Sequence, residues 1–133
     1  MSWTCESCGR EFKNRNQWHS CEQATIEQHI IDKPDFIVEI LHKLLDIVSG
    51  FGEIELLPLK TVIQVQRSST FLSIYLKKNK VHLEFQTEKE KNLPFITKTI
   101  RVSKNRVFHH AEIKDVSEIN EELFIILREA YYL

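Results

Sequence analysis

Residues 70–85 read TFLSIYLKKNKVHLEF, and this stretch decides the fold. Before its polar centre, Leu72, Ile74 and Leu76 alternate with Phe71, Ser73 and Tyr75. After it, Val81, Leu83 and Phe85 alternate with His82, Glu84 and Gln86. A period of two sends alternate side chains to opposite faces of a pleated strand. Asn79, between Lys78 and Lys80, suits a tight turn joining antiparallel strands. The stretch therefore reads as a hairpin with one apolar face and one polar, aromatic face.

Working outward, the strand signal continues on both sides. Downstream, a charged loop over 88–95 containing Pro94 precedes a second hairpin. Its strands run Lys98 to Ser103 and Arg106 to Ile113, with the turn at Lys104-Asn105. Upstream, Ile54-Glu55-Leu56-Leu57 is a short strand, and Thr61 to Arg67 is β-branched and alternating. Further out, the period becomes helical. Ile37, Ile40, Leu41, Leu44, Ile47 and Val48 form one stripe, with Asp32 expected as its cap, Pro34 in its first turn and Gly50 and Gly52 at its end. Ile119, Leu123, Ile126, Leu127 and Ala130 form another, with a capping box expected from Asp115 and Glu118. Thr25 opens a short helical turn through Ile26 to Ile30. The fold class is α+β: a helix, an antiparallel sheet of five to six strands and a C-terminal helix, preceded by a zinc finger. The expected division is 1–22 for the finger, 23–31 for a linker or short helix and 32–133 for the α+β domain.

The finger rests on Cys5, Cys8, His19 and Cys21. All three cysteines of the chain lie within its first 21 residues. An odd number of thiols cannot pair fully as disulfides, and clustered thiols beside a histidine point to metal. Zinc takes four such ligands in a tetrahedron, and a full protein ligand set leaves no open position, so the expected ion is structural Zn2+. Trp3, Phe12 and Trp18 can surround it, and so short a segment folds only with its metal. His29 is the alternative to His19 as fourth ligand.

The bulk properties bound the rest. Apolar residues make up 42% of the 133, enough for a core. No apolar run approaches the roughly 18 residues of a membrane span, and the N-terminus has no basic flank or apolar stretch of a signal peptide, so a cytoplasmic protein without a membrane partner is expected. The net charge of −1 is uninformative, but its distribution is not. Residues 32–59 carry −4, residues 60–106 carry +8 and residues 107–133 carry −4. The basic middle either attracts phosphates or is neutralised by its flanks.

Trp3-x-Cys5-x-x-Cys8-Gly9-Arg10-x-Phe12, followed by Asn16-Gln17-x-His19-Ser20-Cys21, resembles a small CCHC-type zinc-finger head carried by uncharacterised bacterial proteins. Glu6 stands where that pattern has proline. The remainder resembles the domain-of-unknown-function family 5655, members of which carry a transport-protein label. Lys60-Thr61 at a strand start, Phe71, Leu83, the His109-His110 pair, Glu122-Leu123 and Ala130-Tyr131 carry that resemblance. It implies the fold and the metal and no settled activity.

No catalytic constellation is legible: the cysteines are committed, Ser68-Ser69 lacks a base, and three glycines leave no phosphate loop. A non-enzymatic binding module is expected. Its favoured target is nucleic acid, contacted by Arg10, Lys13, Arg15, Lys77 and Lys78, with bases stacking on a face bearing Phe71, Tyr75, His82 and Phe108. The rival is a pocket for a small molecule or anion, using Lys60, Arg67 and His109 and drawing on Tyr75 and His110. Strand parity puts His109 with Val107, Ala111 and Ile113, and His110 with Phe108 and Glu112 on the other face. A third reading is a protein-interaction adaptor with the finger as its contact surface.

Overall fold

The computed structural model describes residues 3–4, 11–12 and 26–133. Two short strands, β1 (Trp3–Thr4) and β2 (Glu11–Phe12), pair antiparallel with Trp3 opposite Phe12. Cys5 and Cys8 belong to the chain that joins them. The expected ligands Cys5, Cys8, His19 and Cys21, and the expected contacts Arg10, Lys13 and Arg15, lie outside the described residues.

From residue 26 onward the chain forms α1 (Ile26–Ile30) and α2 (Asp35–Ser49). Six strands follow: β3 (Glu55–Pro58), β4 (Ile63–Gln66), β5 (Thr70–Leu76), β6 (Val81–Thr87), β7 (Ile96–Ser103) and β8 (Arg106–Ile113). A 3-10 turn at Val116–Glu118 leads into α3 (Glu121–Tyr132). This is the expected α+β architecture. Among the described residues, no helix is long and apolar enough to cross a membrane.

The sheet is antiparallel throughout, in the order β3-β4-β5-β6-β8-β7. The β5–β6 hairpin turns where expected, with the Lys77 amide donating to the Lys80 carbonyl at 2.9 Å. The β7–β8 hairpin turns at Lys104-Asn105, pairing Ser103 with Arg106. It docks with its second strand inward, so β8 lies beside β6 and β7 becomes an edge.

Both longer helices serve one face of this sheet. Ile37, Ile40, Leu41, Leu44 and Val48 of α2 and Leu123, Ile126, Leu127, Ala130 and Tyr131 of α3 are buried. They share one core with Val65, Leu72, Ile74, Val81, Leu83, Phe85, Ala111 and Ile113. Burial of each large aliphatic side chain contributes about 1.5–3 kcal/mol, so this layer holds the fold together. On β6 and β8, buried residues alternate strictly with half-buried ones. Among the described residues, no helix lies on the opposite face.

Three local expectations need correction. Asp32 does not cap α2. It pairs with Lys33 at 2.8 Å, and Pro34 is itself the extended N-cap, with no side-chain cap. Proline has no N–H to satisfy, and its fixed φ suits the entry of a helix. The capping box of Asp115 and Glu118 forms, but on the 3-10 turn. Ile119 then returns to extended backbone, so α3 starts afresh under Asn120, whose side chain accepts from the Leu123 amide. Phe71 does not share a face with Ser73 and Tyr75. The β4–β5 register jumps there, Val65 facing Leu72 and Gln66 facing Thr70. The extra residue forms a bulge that rotates Phe71 into the core, where its ring meets Tyr131 edge-on at 5.2 Å.

The end of α2 shows why one glycine is needed. Gly52 has φ +148°, and a Cβ there would lie 2.5 Å from the hydroxyl oxygen of Tyr131. Only a residue without a side chain lets α3 approach this turn.

Candidate metal centre

The sheet face that no helix of the described residues covers is a grid set by register. Tyr75 of β5 faces His82 of β6, which faces Glu112 of β8. One step along, Ser73 faces Glu84, Glu84 faces His110, and His110 faces Lys98 of β7. His82 and Glu84 lie two residues apart, so they share a face, and His110 is brought directly opposite Glu84. Their reactive atoms converge. His82 Nε2 lies 3.1 Å from His110 Nδ1 and 3.2 Å from Glu84 Oε2. His110 Nδ1 lies 3.2 Å from the same Glu84 Oε2. All three side chains are half-buried.

The surrounding side chains hold this arrangement. The Tyr75 hydroxyl donates to the other carboxylate oxygen, Glu84 Oε1, at 3.4 Å, leaving Oε2 for the cluster. Burial, followed by the Glu84 carboxylate, pushes the Tyr75 phenol above its usual range, which keeps it a donor. The His82 and His110 rings sit 5.1 Å apart, with Tyr75 edge-on to the first and Phe108 edge-on to the second. Lys80 bonds Glu112 at 2.9 Å and holds that carboxyl below its usual range.

A nearly equilateral triangle of two imidazole nitrogens and a carboxylate oxygen has a specific chemical consequence. Two ring protons aimed at Glu84 Oε2 satisfy the two edges to the carboxylate and leave the imidazole nitrogens facing each other at 3.1 Å, whereas one cation engages all three donors at once. An ion about 2.1 Å from each donor would sit about 1 Å off their plane and see them at about 100° to one another. That angle lies between the octahedral value of about 90° and the tetrahedral value of about 109°, and two histidines with one carboxylate suit zinc or ferrous iron. The arrangement could hold a metal ion and leave at least one coordination position open.

With the fold and this cluster established, the comparison with protein families is direct. The model of the family described as a domain of unknown function, DUF5655, matches residues 26–133. The chain belongs to the DUF5655 family. No match was found among curated proteins or among solved structures.

The DUF5655 domain distributes the other expected site residues widely. His109 is fully buried on the helix-covered side. Its Nε2 is 2.9 Å from Thr87 Oγ1, and Thr87 donates its own proton to the Lys89 carbonyl at 2.6 Å. The Thr87 oxygen therefore accepts from His109 Nε2–H, and His109 Nδ1 accepts from Thr99 at 3.3 Å. Burial holds the His109 pKa below its usual value. With both ring nitrogens engaged and no exposed surface, His109 cannot face a ligand.

Arg67 stacks over Tyr131 at 4.7 Å and donates to the Tyr131 carbonyl at 3.1 Å, tethering the end of α3. Lys60 is exposed on the β3–β4 connection. Lys60, Arg67 and His109 thus belong to different surroundings and do not form the expected pocket. Tyr75 and His110 do come together, with His82 and Glu84 between and beside them. Lys77 lies 5.8 Å from the Tyr75 ring centre, and Lys78 is exposed in the adjoining turn. His29, the alternative finger ligand, is buried with Nε2 against the Leu59 carbonyl.

The basic segment 60–106 is tied in part to the acidic one after it. Lys80 pairs with Glu112, and Lys91 with Glu129 at 2.9 Å.

Glu84 is absent from the expected site residues, and His82 is expected only on a stacking face. The signal available was His-x-Glu on a strand whose alternate positions are apolar, which puts both side chains on the open face. The third ligand needed the β6–β8 register.

Proposed function

We propose that this DUF5655 domain is a metal-dependent binding module whose working surface is the uncovered sheet face. His82 Nε2, His110 Nδ1 and Glu84 Oε2 hold one divalent ion, with Zn2+ the best match to the donor set. A ligand completes its coordination from solvent. The observation that carries this reading is the triangle of 3.1–3.2 Å edges between three donors on adjacent strands. The Cys5, Cys8, His19 and Cys21 set is proposed as a separate, structural zinc site. Nucleic acid is the less favoured target, because Lys80 and Lys91 are already paired with carboxylates.

Cobalt substitution of the full chain separates the two sites. Thiolate ligation gives intense near-ultraviolet charge-transfer bands, and the His-Glu site gives weak visible bands alone. Elemental analysis and cobalt titration of the full chain should lose about one equivalent of metal in His82→Gln/His110→Gln, with the thiolate bands retained. Unchanged stoichiometry and an unchanged visible spectrum in that variant would remove the His-Glu site from consideration.

A further inference from the structure

Glu84 also lines a groove of about 360 Å³ that runs toward the start of β8 and the end of α3. Ser73, Gln86, Phe108, Arg106 and Leu133 line it with Glu84. The groove is within the size range of small-molecule sites. Its polar lining is unusual in one respect. Ser73 and Gln86 are half-buried, and among the described residues neither side chain has a hydrogen-bond partner. Arg106 spends one donor on the adjacent Asn105 carbonyl at 3.3 Å and keeps the rest of its guanidinium fork available.

The charge pattern says what would bind there. Without metal, Glu84 and Arg106 cancel. With a divalent ion, the Glu84 site carries a net positive charge, and Arg106 supplies a second at the other end. His110 and Arg106 are four residues apart on β8, so their Cα atoms are separated by about 13 Å. The long, flexible arginine side chain can span part of this gap. Resting on the metal reading above, we infer that the groove binds a small organic acid with an anionic group at each end, one on the metal and one on Arg106. Ser73 and Gln86 donate hydrogen bonds along its length, and Phe108 forms an apolar wall for its carbon chain. The anionic ends are carboxylate or phosphate, since both accept a bidentate guanidinium and both ligate zinc.

The test uses the full chain with Zn2+ and a set of probes measured by calorimetry: acetate, inorganic phosphate and unbranched dicarboxylates from oxalate to adipate. Metal uptake is measured in parallel. The expected result is an affinity maximum at intermediate dicarboxylate length, at least tenfold above acetate and lost after chelation. Arg106→Gln should weaken the best dicarboxylate by about 10- to 100-fold and leave zinc binding unchanged. Arg106→Lys should fall between, since it keeps the charge and loses the fork. A stronger response to inorganic phosphate than to acetate would assign the anionic end to phosphate rather than carboxylate. Far-ultraviolet circular dichroism checks that both variants are folded. Metal uptake with no preference for dicarboxylates, or with no effect of Arg106→Gln, would overturn this inference and leave the metal reading standing. Failure of His82→Gln/His110→Gln to reduce metal uptake would overturn both.

Discussion

The two faces of the sheet are built from the same strands and do opposite work, as the neighbours His109 and His110 show. His109 points to the helices, is sealed from water and has both ring nitrogens engaged by threonines. His110 points outward, is half-buried, and shares a point in space with another imidazole and a carboxylate. One imidazole is a satisfied core group, while the other is part of a cluster of three donor atoms that a single cation would engage together. What separates them is one step of strand parity and, among the described residues, the presence of helices on one side only. A polar residue's role here is set by its face rather than by its type.

The largest test of that contrast is a core truncation. Leu83→Ala on the covered face should destabilise the domain by about 3 kcal/mol, within the range for fully buried leucines. Its neighbours His82→Ala and, on β8, His110→Ala should cost under about 1 kcal/mol in chelated protein. Urea denaturation of the three variants measures this, and comparable losses from both faces would erase the distinction.

Next in size is the response to metal. Zinc at a hundredfold excess over its dissociation constant should add about 2.7 kcal/mol to the stability of a domain that binds it only when folded. Glu84→Gln should abolish that increment while leaving the chelated stability nearly unchanged. A full zinc increment in Glu84→Gln would mean that the ion binds elsewhere.

The covered face carries the pH dependence of His109. Its folded-state pKa lies below the ordinary value of 6.5, so the unfolded chain takes up the proton first. The full contribution of His109 is present above that value and is lost as pH falls through the folded pKa. The difference in urea midpoint between wild type and His109→Gln should therefore shift against the wild type between pH 7.5 and pH 5. A difference independent of pH would show that the buried imidazole titrates normally.

The smallest expected effect on stability is at Tyr75. Tyr75→Phe removes the hydroxyl that orients Glu84 and should change folding by under about 0.5 kcal/mol. It should nevertheless weaken zinc binding by about tenfold, the lower end for an orienting hydrogen bond to a ligand. An unchanged zinc affinity would show that Glu84 needs no help from β5.

Much of the fold was legible because its signals are local. The alternation of β6 and β8, the turns at Asn79 and Lys104-Asn105 and the apolar stripes of α2 and α3 each follow from a few consecutive residues. Phe71 was misplaced because a bulge adds one residue without changing the alternating pattern. Asn120 was passed over as a cap because Asp115 and Glu118 offered the stronger signal five residues earlier. The pocket of Lys60, Arg67 and His109 failed for a different reason. Arg67 found aromatic and carbonyl partners on α3, and His109 found threonines on β6 and β7, none of which is near it in the chain.

By itself the sequence determined the α+β class, which residues of α2, β6, β8 and α3 turn inward, and that His82, Glu84 and His110 turn outward. Each of these is a matter of periodicity along a single segment. Only the tertiary structure decided that β8, and not β7, lies beside β6, and that Glu84 stands opposite His110. Pairing between strands more than twenty residues apart depends on how the loop closes and on which register buries the most apolar surface. The candidate metal centre exists only in that register, since a slip of one residue would turn His110 into the core and leave Glu84 without its partner.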